Sequence, residues 1–199
     1  MNREHMELLA SDGWRELLDQ VILPFALDGL GRAALGDNLL EIGPGPGLTT
    51  DLLADLIPSV TCLELDDELA AGLSQRFSSR PDVRVHCGDG SDMPFDDSTF
   101  SGVICCTMLH HIPSAAIQDR LFAEAARTVR PGGWFVASDS VASDDLAALH
   151  HGDVYNPIDP DGLADRLTAV GFVDVSVRAN DFGFACHARR PLSSPVAAT

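Results

Sequence analysis

The sequence predicts an α/β fold built around a mostly parallel β-sheet. From residue 39 onward, short apolar runs alternate with segments of helical period, which is typical of parallel strands joined by crossover helices. The length of 199 residues suits one domain with a sizeable core. Since neither an internal repeat nor a second domain interrupts this alternation, we predict a single domain over residues 1–190.

Each element is predicted from its own periodicity and end signals. Compact apolar runs predict seven strands, at 39–43, 60–65, 82–88, 102–108, 134–139, 173–180 and 182–190. Apolar residues spaced three and four apart predict helices at 47–57, 66–77, 114–129 and 160–172. Ser114 suits the N-cap of the third helix, and Arg130-Pro131-Gly132-Gly133 should end it. The short Asp181-Phe182-Gly183 connection predicts an antiparallel final strand.

Three segments lie outside this alternation. The first 36 residues have helical character and are expected to pack outside the sheet. Residues 140–159 form a longer, Asp- and His-rich connection than a minimal one requires, so we expect a segment that covers the substrate. The tail, 191–199, is expected to be disordered.

Composition excludes several kinds of chemistry. The formal net charge is −17, from 30 acidic residues against 13 basic ones, and every basic residue is arginine. Without lysine there is no P-loop, no lysine Schiff base and no lysine-held pyridoxal phosphate. Binding to nucleic acid or to an anionic membrane is also disfavoured, because phosphate neutralisation needs clustered basic residues.

The cysteines and the hydropathy pattern indicate a cytoplasmic protein. The five cysteines are odd in number, lack a C-x-x-C pair and fall mostly within apolar runs, so we expect buried free thiols. The N-terminal sequence MNREHMELLASDGW has no signal-peptide core, and no apolar run approaches the roughly 18 residues of a membrane span.

The strongest functional signal is a glycine loop between the first predicted strand and helix. The loop reads Glu41-Ile42-Gly43-Pro44-Gly45-Pro46-Gly47, so its glycines occupy alternate positions. This spacing allows a sharp turn close to a ligand but differs from the G-x-G-x-x-G pattern of dinucleotide sites. The acid before the first glycine suits a cationic amine better than a pyrophosphate. Glu64 ends the next strand, where an α/β fold places the carboxylate that binds ribose hydroxyls.

Together these segments resemble a known family. LLEIGPGPGLTT, CLELDDEL, HCGDGSDMPFDDSTFSGVI and RTVRPGGWFVASD resemble four consecutive motifs of class I SAM-dependent methyltransferases, in order over residues 39–139. They are especially similar to the small-molecule branch that includes ubiquinone- and menaquinone-biosynthesis enzymes. The resemblance implies a Rossmann-like, doubly wound, seven-stranded sheet with helices on both faces and a reversed last strand. It also implies S-adenosyl-L-methionine (SAM) as cofactor and a small-molecule methyl acceptor.

The resemblance assigns cofactor contacts by position. Residues matching those around the methionine and ribose portions of SAM are Glu41, Gly43, Pro44 and Gly45. Glu64 matches the family's ribose acid.

The adenine and methionine contacts are assigned in the same way. Leu65 matches the residue that packs on adenine, and Asp89 the carboxylate that accepts from the adenine amino group. The Gly90 N–H would reach the neighbouring ring nitrogen, and Thr107 would lie near the methionine tail. The family often has alanine at the position of Gly90, a departure that leaves a backbone contact intact.

Candidate catalytic residues lie in two histidine pairs. Methyl transfer from a sulfonium is an in-line displacement that needs mainly alignment, and a base is needed only if the acceptor must lose a proton. His110 and His111 follow the fourth strand, at the sheet edge where ligands bind. His151 and Tyr155, with His150 and Asp153 beside them, lie in the covering segment. We expect no metal site, because imidazoles and carboxylates in a flexible loop indicate one only weakly.

Two other functions compete with an enzyme that methylates a small molecule. A non-catalytic SAM sensor or scaffold would need the same Glu41, Glu64 and Asp89. A nicotinamide oxidoreductase is disfavoured by the glycine spacing and by Asp89 in a Gly-Asp-Gly context. The chain also lacks, after the fourth strand, the [N/D/S]-P-P-[Y/F/W] motif of enzymes that methylate amino groups of nucleobases or glutamine. We therefore expect neither nucleic acid nor membrane as a partner. The oligomeric state stays open.

Overall fold

The computed structural model describes residues 3–192, with side chains described from residue 6 onward. A run of helical turns comes first: α1 (Arg3–Leu9), α2 (Asp12–Leu17), a π-turn (Leu18–Ile22), α3 (Leu23–Leu27) and a 3-10 turn (Arg32–Leu35). The Ser11 side chain caps α2 by accepting from the Trp14 N–H at 3.1 Å. The predicted helical character is observed over the described part of this region. The predicted disordered tail, 191–199, falls on residues 193–199, which lie outside the described residues, except for its first two positions.

The remaining elements alternate between strands and helices as predicted. They are β1 (Leu39–Ile42), α4 (Leu48–Ala54), β2 (Val60–Glu64), α5 (Asp67–Arg76), β3 (Val83–Cys87), β4 (Phe100–Cys106), a 3-10 turn (Leu109–His111), α6 (Ala115–Thr128), β5 (Val129–Ser140), α7 (Asp144–Leu149), α8 (Pro160–Ala169), β6 (Val173–Ala179) and β7 (Gly183–Arg189). Ser114 caps α6 as expected, accepting from the Ile117 N–H at 3.3 Å.

The strands form one seven-stranded sheet in the order β3-β2-β1-β4-β5-β7-β6. β7 pairs antiparallel with both β5 and β6, while the pairs among β1 to β5 are parallel. The predicted fold class, with its reversed last strand, is confirmed. The chain progresses from β1 to β3 in one direction and from β4 onward in the other, so the carboxyl ends of β1 and β4 flank the switch point where ligands bind in open α/β sheets.

Helices cover both faces of the sheet. Successive strand residues point to opposite faces, so Leu40 and Ile42 join one apolar cluster and Leu39 the other. The first cluster includes residues of α6 and α8, and the second includes residues of α3, α4 and α5. The N-terminal turns are also fixed by hydrogen bonds: His187 Nε2 on β7 lies 2.6 Å from the Ala26 carbonyl oxygen.

Two predicted boundaries need correction. The fifth strand was predicted at 134–139, but β5 begins at Val129. Helix α6 ends just before it, and Arg130-Pro131-Gly132-Gly133 already belongs to the strand. Backbone hydrogen bonds explain this, since Gly132 N–H donates to Arg190 O and Arg190 N–H to Gly133 O, both at 2.9 Å. Residues 140–159 are also not simply a loop, because they contain α7, which Ser143 caps by accepting from the Leu146 N–H.

The thiols follow the prediction with one exception. Cys62, Cys105, Cys106 and Cys186 are buried, and all five cysteines are free. Cys87 is exposed, because it ends β3 at the edge of the sheet. Among residues 3–192, no helix is long and apolar enough to cross a membrane.

Candidate active site

A cavity of about 690 Å³ opens at the carboxyl ends of the parallel strands. Its floor is the glycine loop and the ends of β2 and β4, and one wall is apolar, formed by Met6, Leu9, Trp14 and Leu18 of the N-terminal turns. This volume is typical of sites that enclose a small ligand. The N-terminal segment therefore does more than pack on the sheet, since it closes one side of the site.

The glycine loop needs glycine for two separate physical reasons. Gly43, Gly45 and Gly47 have φ values of 65°, 54° and 86°, a left-handed region that L side chains rarely adopt. At Gly43 the space is also tight, because a Cβ would lie 2.9 Å from Met108 Cε and 3.1 Å from Met108 Cβ, so the methionine would have to shift. The loop backbone can thus lie directly against the residues after β4, and Gly43, Pro44 and Gly45 all line the cavity.

Glu64 lies in the part of the cavity where the cofactor is expected. Its side chain is buried at 7% exposure and lines the cavity at the end of β2. The Gly45 N–H donates to Glu64 Oε2 at 3.0 Å, and the Asp66 N–H donates to Oε1 at 3.1 Å. Since an ionised carboxylate has about four acceptor sites, further hydrogen bonds from ribose hydroxyls fit the same group.

Leu65, Asp89 and Gly90 also line the cavity, and the first two are exposed. Leu65 is 68% exposed, which is unusual for a large apolar side chain and leaves one face open to a planar ligand. Asp89 Oδ1 accepts from the Ser91 N–H at 2.7 Å, which fixes the carboxylate in the turn after β3. The structure therefore brings Glu64 and the predicted adenine residues into one cavity.

Glu41 is placed differently from the other predicted cofactor residues. It is 2% exposed and does not line the cavity; instead its Oε2 accepts from the Thr50 hydroxyl of α4 at 2.6 Å. Burial raises the pKa of Glu41 to about 7, and the hydrogen bond from Thr50 only partly opposes this shift. Glu41 thus supports the underside of the glycine loop, and a direct contact with the cofactor stays a prediction.

Thr107 lines the cavity immediately after β4 with a φ of 53°. Such a conformation is strained for a β-branched residue, and the surrounding structure maintains it through the Thr107 N–H, which donates to Ser138 O at 2.7 Å. The turn directs the chain from β4 into Met108 and the histidine pair.

The histidines form one cluster at the other end of the site. His110, His111 and His150 have ring centroids 4.3, 4.8 and 4.9 Å apart, so the structure brings residues 39 positions apart in the chain into contact. His110 and His150 are buried, whereas His111 is partly exposed and lines the cavity.

Tyr155 and His151 have different surroundings. The Tyr155 ring stacks on His150 with centroids 5.1 Å apart, and its hydroxyl accepts from the Ser143 N–H at 3.3 Å. His151 is exposed, and it belongs neither to the cluster nor to the cavity lining. Asp153 and Val154 of the covering segment do line the cavity.

Comparison with known proteins identifies the domain. Residues 40–137 match the family model described as a methyltransferase domain. A SAM-dependent methyltransferase from Aquifex aeolicus superposes with a TM-score of 0.72 at 16% identity, covering 96% of this chain and 99% of that one. Residues 40–137 are therefore a methyltransferase domain, and the chain has the fold of SAM-dependent methyltransferases.

Curated relatives share only part of their length with this methyltransferase domain. Ribosomal RNA small subunit methyltransferase A of Cupriavidus taiwanensis is 38% identical over 90 residues, 45% of this chain and 31% of that protein. The O-methyltransferase cnsE of Penicillium expansum is 25% identical over 154 residues, 72% of this chain and 55% of that protein. One of these names specifies ribosomal RNA and the other only methylation of an oxygen atom, so they do not identify the quinone-biosynthesis branch.

Sequence reasoning missed Asp139, which lies two positions beyond the matched segment, as a functional candidate. The Asp139 carboxylate, 4% exposed at the end of β5, has Oδ1 at 2.6 Å from His110 Nδ1, and its Oδ2 accepts from the His110 N–H at 2.9 Å. The available signal was an acid that ends an otherwise apolar run beside the ligand-binding edge. Its partner could not be read from the pattern, because β5 and His110 meet only through the pairing of β4 with β5.

Proposed function

We propose that the protein transfers a methyl group from SAM to a small-molecule acceptor that is neutral or cationic. In this reaction the acceptor's lone pair attacks the sulfonium methyl carbon, and the electrons of the broken C–S bond remain on sulfur. The products are the methylated acceptor and neutral S-adenosylhomocysteine. The methyltransferase domain supports the donor half of this proposal, and the charge of the cavity supports the acceptor half.

The cavity charge is the observation that carries the proposal. Its described lining residues include no arginine but five carboxylates: Glu64, Asp66, Glu68, Asp89 and Asp153. A sulfonium with an ammonium group is favoured by such surroundings, whereas a polyphosphate chain is repelled. The formal charge of −17 acts in the same direction over the whole chain. RNA as acceptor is therefore disfavoured, although several curated relatives are named as ribosomal RNA methyltransferases.

The ribosomal RNA methyltransferases are matched only in part, so their named substrate does not carry over to this chain. The matched segments span 31%, 35%, 22% and 44% of the first four ribosomal RNA methyltransferases, so most of each of those proteins has no matched counterpart in this chain. The apolar wall of Met6, Leu9 and Trp14 suits an acceptor with an apolar body. Given the resemblance to the quinone-biosynthesis branch, hydroxylated aromatic compounds are the first acceptor class to assay.

Two measurements test the proposal. Titration calorimetry should show that SAM and S-adenosylhomocysteine bind at micromolar concentration, on the order of −8 kcal/mol, and more tightly than NADH or NADPH. Tighter binding of both nicotinamide cofactors would refute the assignment. The protein is then incubated with methyl-labelled SAM and either RNA or a small-molecule extract. Label should enter the small-molecule fraction. Label found only in RNA would overturn the acceptor class, and SAM binding without any transfer would favour the non-catalytic sensor.

A further inference from the structure

The histidine cluster has an arrangement that methyl transfer alone does not require. One ring nitrogen from each of His110, His111 and His150 lies within 4.8 Å of the other two. His110 is 3% exposed, and its Nε2 is buried without a hydrogen-bond partner. A buried polar atom left unsatisfied costs about 1–3 kcal/mol, so a ligand that this nitrogen could bind would offset a real penalty.

The outer contacts orient two of the rings as metal ligands. The Nδ1 of His110 lies 2.6 Å from Asp139 Oδ1, and the Nδ1 of His150 lies 2.7 Å from the Leu146 carbonyl oxygen. When Nδ1–H donates to such an acceptor, the free lone pair is on Nε2. Metal-binding histidines commonly have an outer hydrogen-bond partner of this kind. Asp139 also accepts from the Ser140 N–H at 2.7 Å, so the carboxylate itself is held in place.

We propose that His110, His111 and His150 bind one divalent transition metal ion of the zinc class. Imidazole nitrogens suit Zn²⁺ and its neighbours, and three protein ligands leave an open coordination position. Tetrahedral Zn–N bonds of about 2.0–2.1 Å separate the nitrogens by about 3.4 Å, so the rings close in by on the order of 1 Å from their present separation.

The site adjoins the acceptor end of the cavity. His111 belongs to both, and Asp153 of the covering segment lines the same space. Resting on the proposed methyl transfer, the ion would bind a hydroxyl oxygen of the acceptor and lower its pKa, so that the proton passes to solvent. The oxygen lone pair then forms the O–CH₃ bond while the C–S pair remains on sulfur. The inferred acceptor class is thus a hydroxyl compound.

The test uses the full chain with Zn²⁺ alone, followed by Co²⁺ alone. Titration calorimetry and metal analysis after dialysis should give one Zn²⁺ per chain, and Co²⁺ should give the visible absorption of a nitrogen-coordinated ion. His111→Ala and His150→Ala should each weaken Zn²⁺ binding at least about tenfold. His151→Ala is the matched control, because this exposed neighbour lies outside the cluster and should leave the affinity unchanged.

Positioning by Asp139 gives a second, independent test. Asp139→Asn should weaken Zn²⁺ binding about 10- to 100-fold, the usual effect of losing an outer-shell carboxylate, with circular dichroism confirming a folded chain. The proposal is overturned if the folded wild-type chain shows no saturable Zn²⁺ uptake, or if His111→Ala and His150→Ala both keep wild-type affinity.

S-adenosylhomocysteine titrated into the same samples separates the two proposals. Zinc binding without S-adenosylhomocysteine binding would retain the metal site and remove the methyltransferase function. Cofactor binding without zinc binding would do the reverse.

Discussion

The two ends of the cavity are built by different means. The expected cofactor end consists of the glycine loop and the residues that directly follow β2 and β3, so each lining residue there lies close in sequence to a strand end. The expected acceptor end includes His111 and Asp153, and behind His111 the side chains of His110, Asp139 and His150 meet only in the folded chain. The first end depends on backbone conformations that few sequences can adopt. The second depends on side chains, whose identities can vary while the fold stays the same.

Glu64→Ala tests the cofactor end with the largest expected effect. Loss of a charged acceptor for two ribose hydroxyls should cost about 2–4 kcal/mol, or about 30- to 900-fold in SAM affinity measured by calorimetry. Glu68→Ala is the matched control, since Glu68 also lines the cavity but is exposed. The SAM affinity of this variant should change little. Unchanged SAM binding in folded Glu64→Ala would remove Glu64 from the site.

Glu41→Gln separates support of the loop from contact with the cofactor. Burial raises the pKa of Glu41 from 4.5 to about 7, so between these values the folded state holds a proton that the unfolded state has lost. The free energy of unfolding should therefore fall as the pH rises from 4.5 to about 7 and level off above that. At 1.36 kcal/mol per pH unit, the total loss is about 3 kcal/mol.

The glutamine side chain of Glu41→Gln does not ionise, so the variant does not lose stability as the pH rises. Denaturant unfolding should find Glu41→Gln more stable than the wild type at pH 8, by up to about 3 kcal/mol, with the difference shrinking toward pH 5. SAM affinity measured on the same variant reports the second role. A large loss of affinity would place Glu41 in contact with the ligand's ammonium group, and wild-type affinity would leave it only a support of the loop.

Gly43→Ala tests whether the loop depends on backbone conformation. The variant combines a φ of 65° with a Cβ placed 2.9 Å from Met108, so we expect a loss of about 1–2 kcal/mol in stability and weaker SAM binding. Gly162→Ala is the control, because this helical position has nothing within 4 Å and should gain about 0.5–1 kcal/mol. Equal stability changes in both variants would contradict the role assigned to the loop.

Tyr155→Phe should have the smallest effect and addresses the acceptor end. It removes the hydroxyl that accepts from the Ser143 N–H but keeps the ring stacked on His150, so stability should fall by no more than about 1 kcal/mol. Hydrogen exchange of the α7 amides should become faster while that of α5 is unchanged. In the wild type, these α7 amides should gain protection with S-adenosylhomocysteine and acceptor. Full protection in the free protein would contradict a covering segment.

The same contrast explains what the sequence could predict. The alternation of strands and helices, the reversed β7 and the glycine loop follow from local patterns, because the period of apolar residues and the turns of glycine-rich loops are properties of short segments. The placement of Glu41 was harder to predict from the sequence, because its side chain faces α4 while the loop two residues later faces the cavity. The approach of Asp139 and His150 to His110 depends on strand pairing and on how residues 140–159 fold back, which no local signal encodes.

Glu64 also joins three parts of the chain to one another. Its buried carboxylate accepts from the Gly45 N–H of the glycine loop and from the Asp66 N–H just before α5, so a single side chain at the end of β2 holds both neighbouring turns. Removing it would leave the Gly45 N–H without this acceptor, and the glycine loop would lose a fixed point of its own. Evolution at this position is therefore constrained by the architecture of the sheet edge as well as by any ligand.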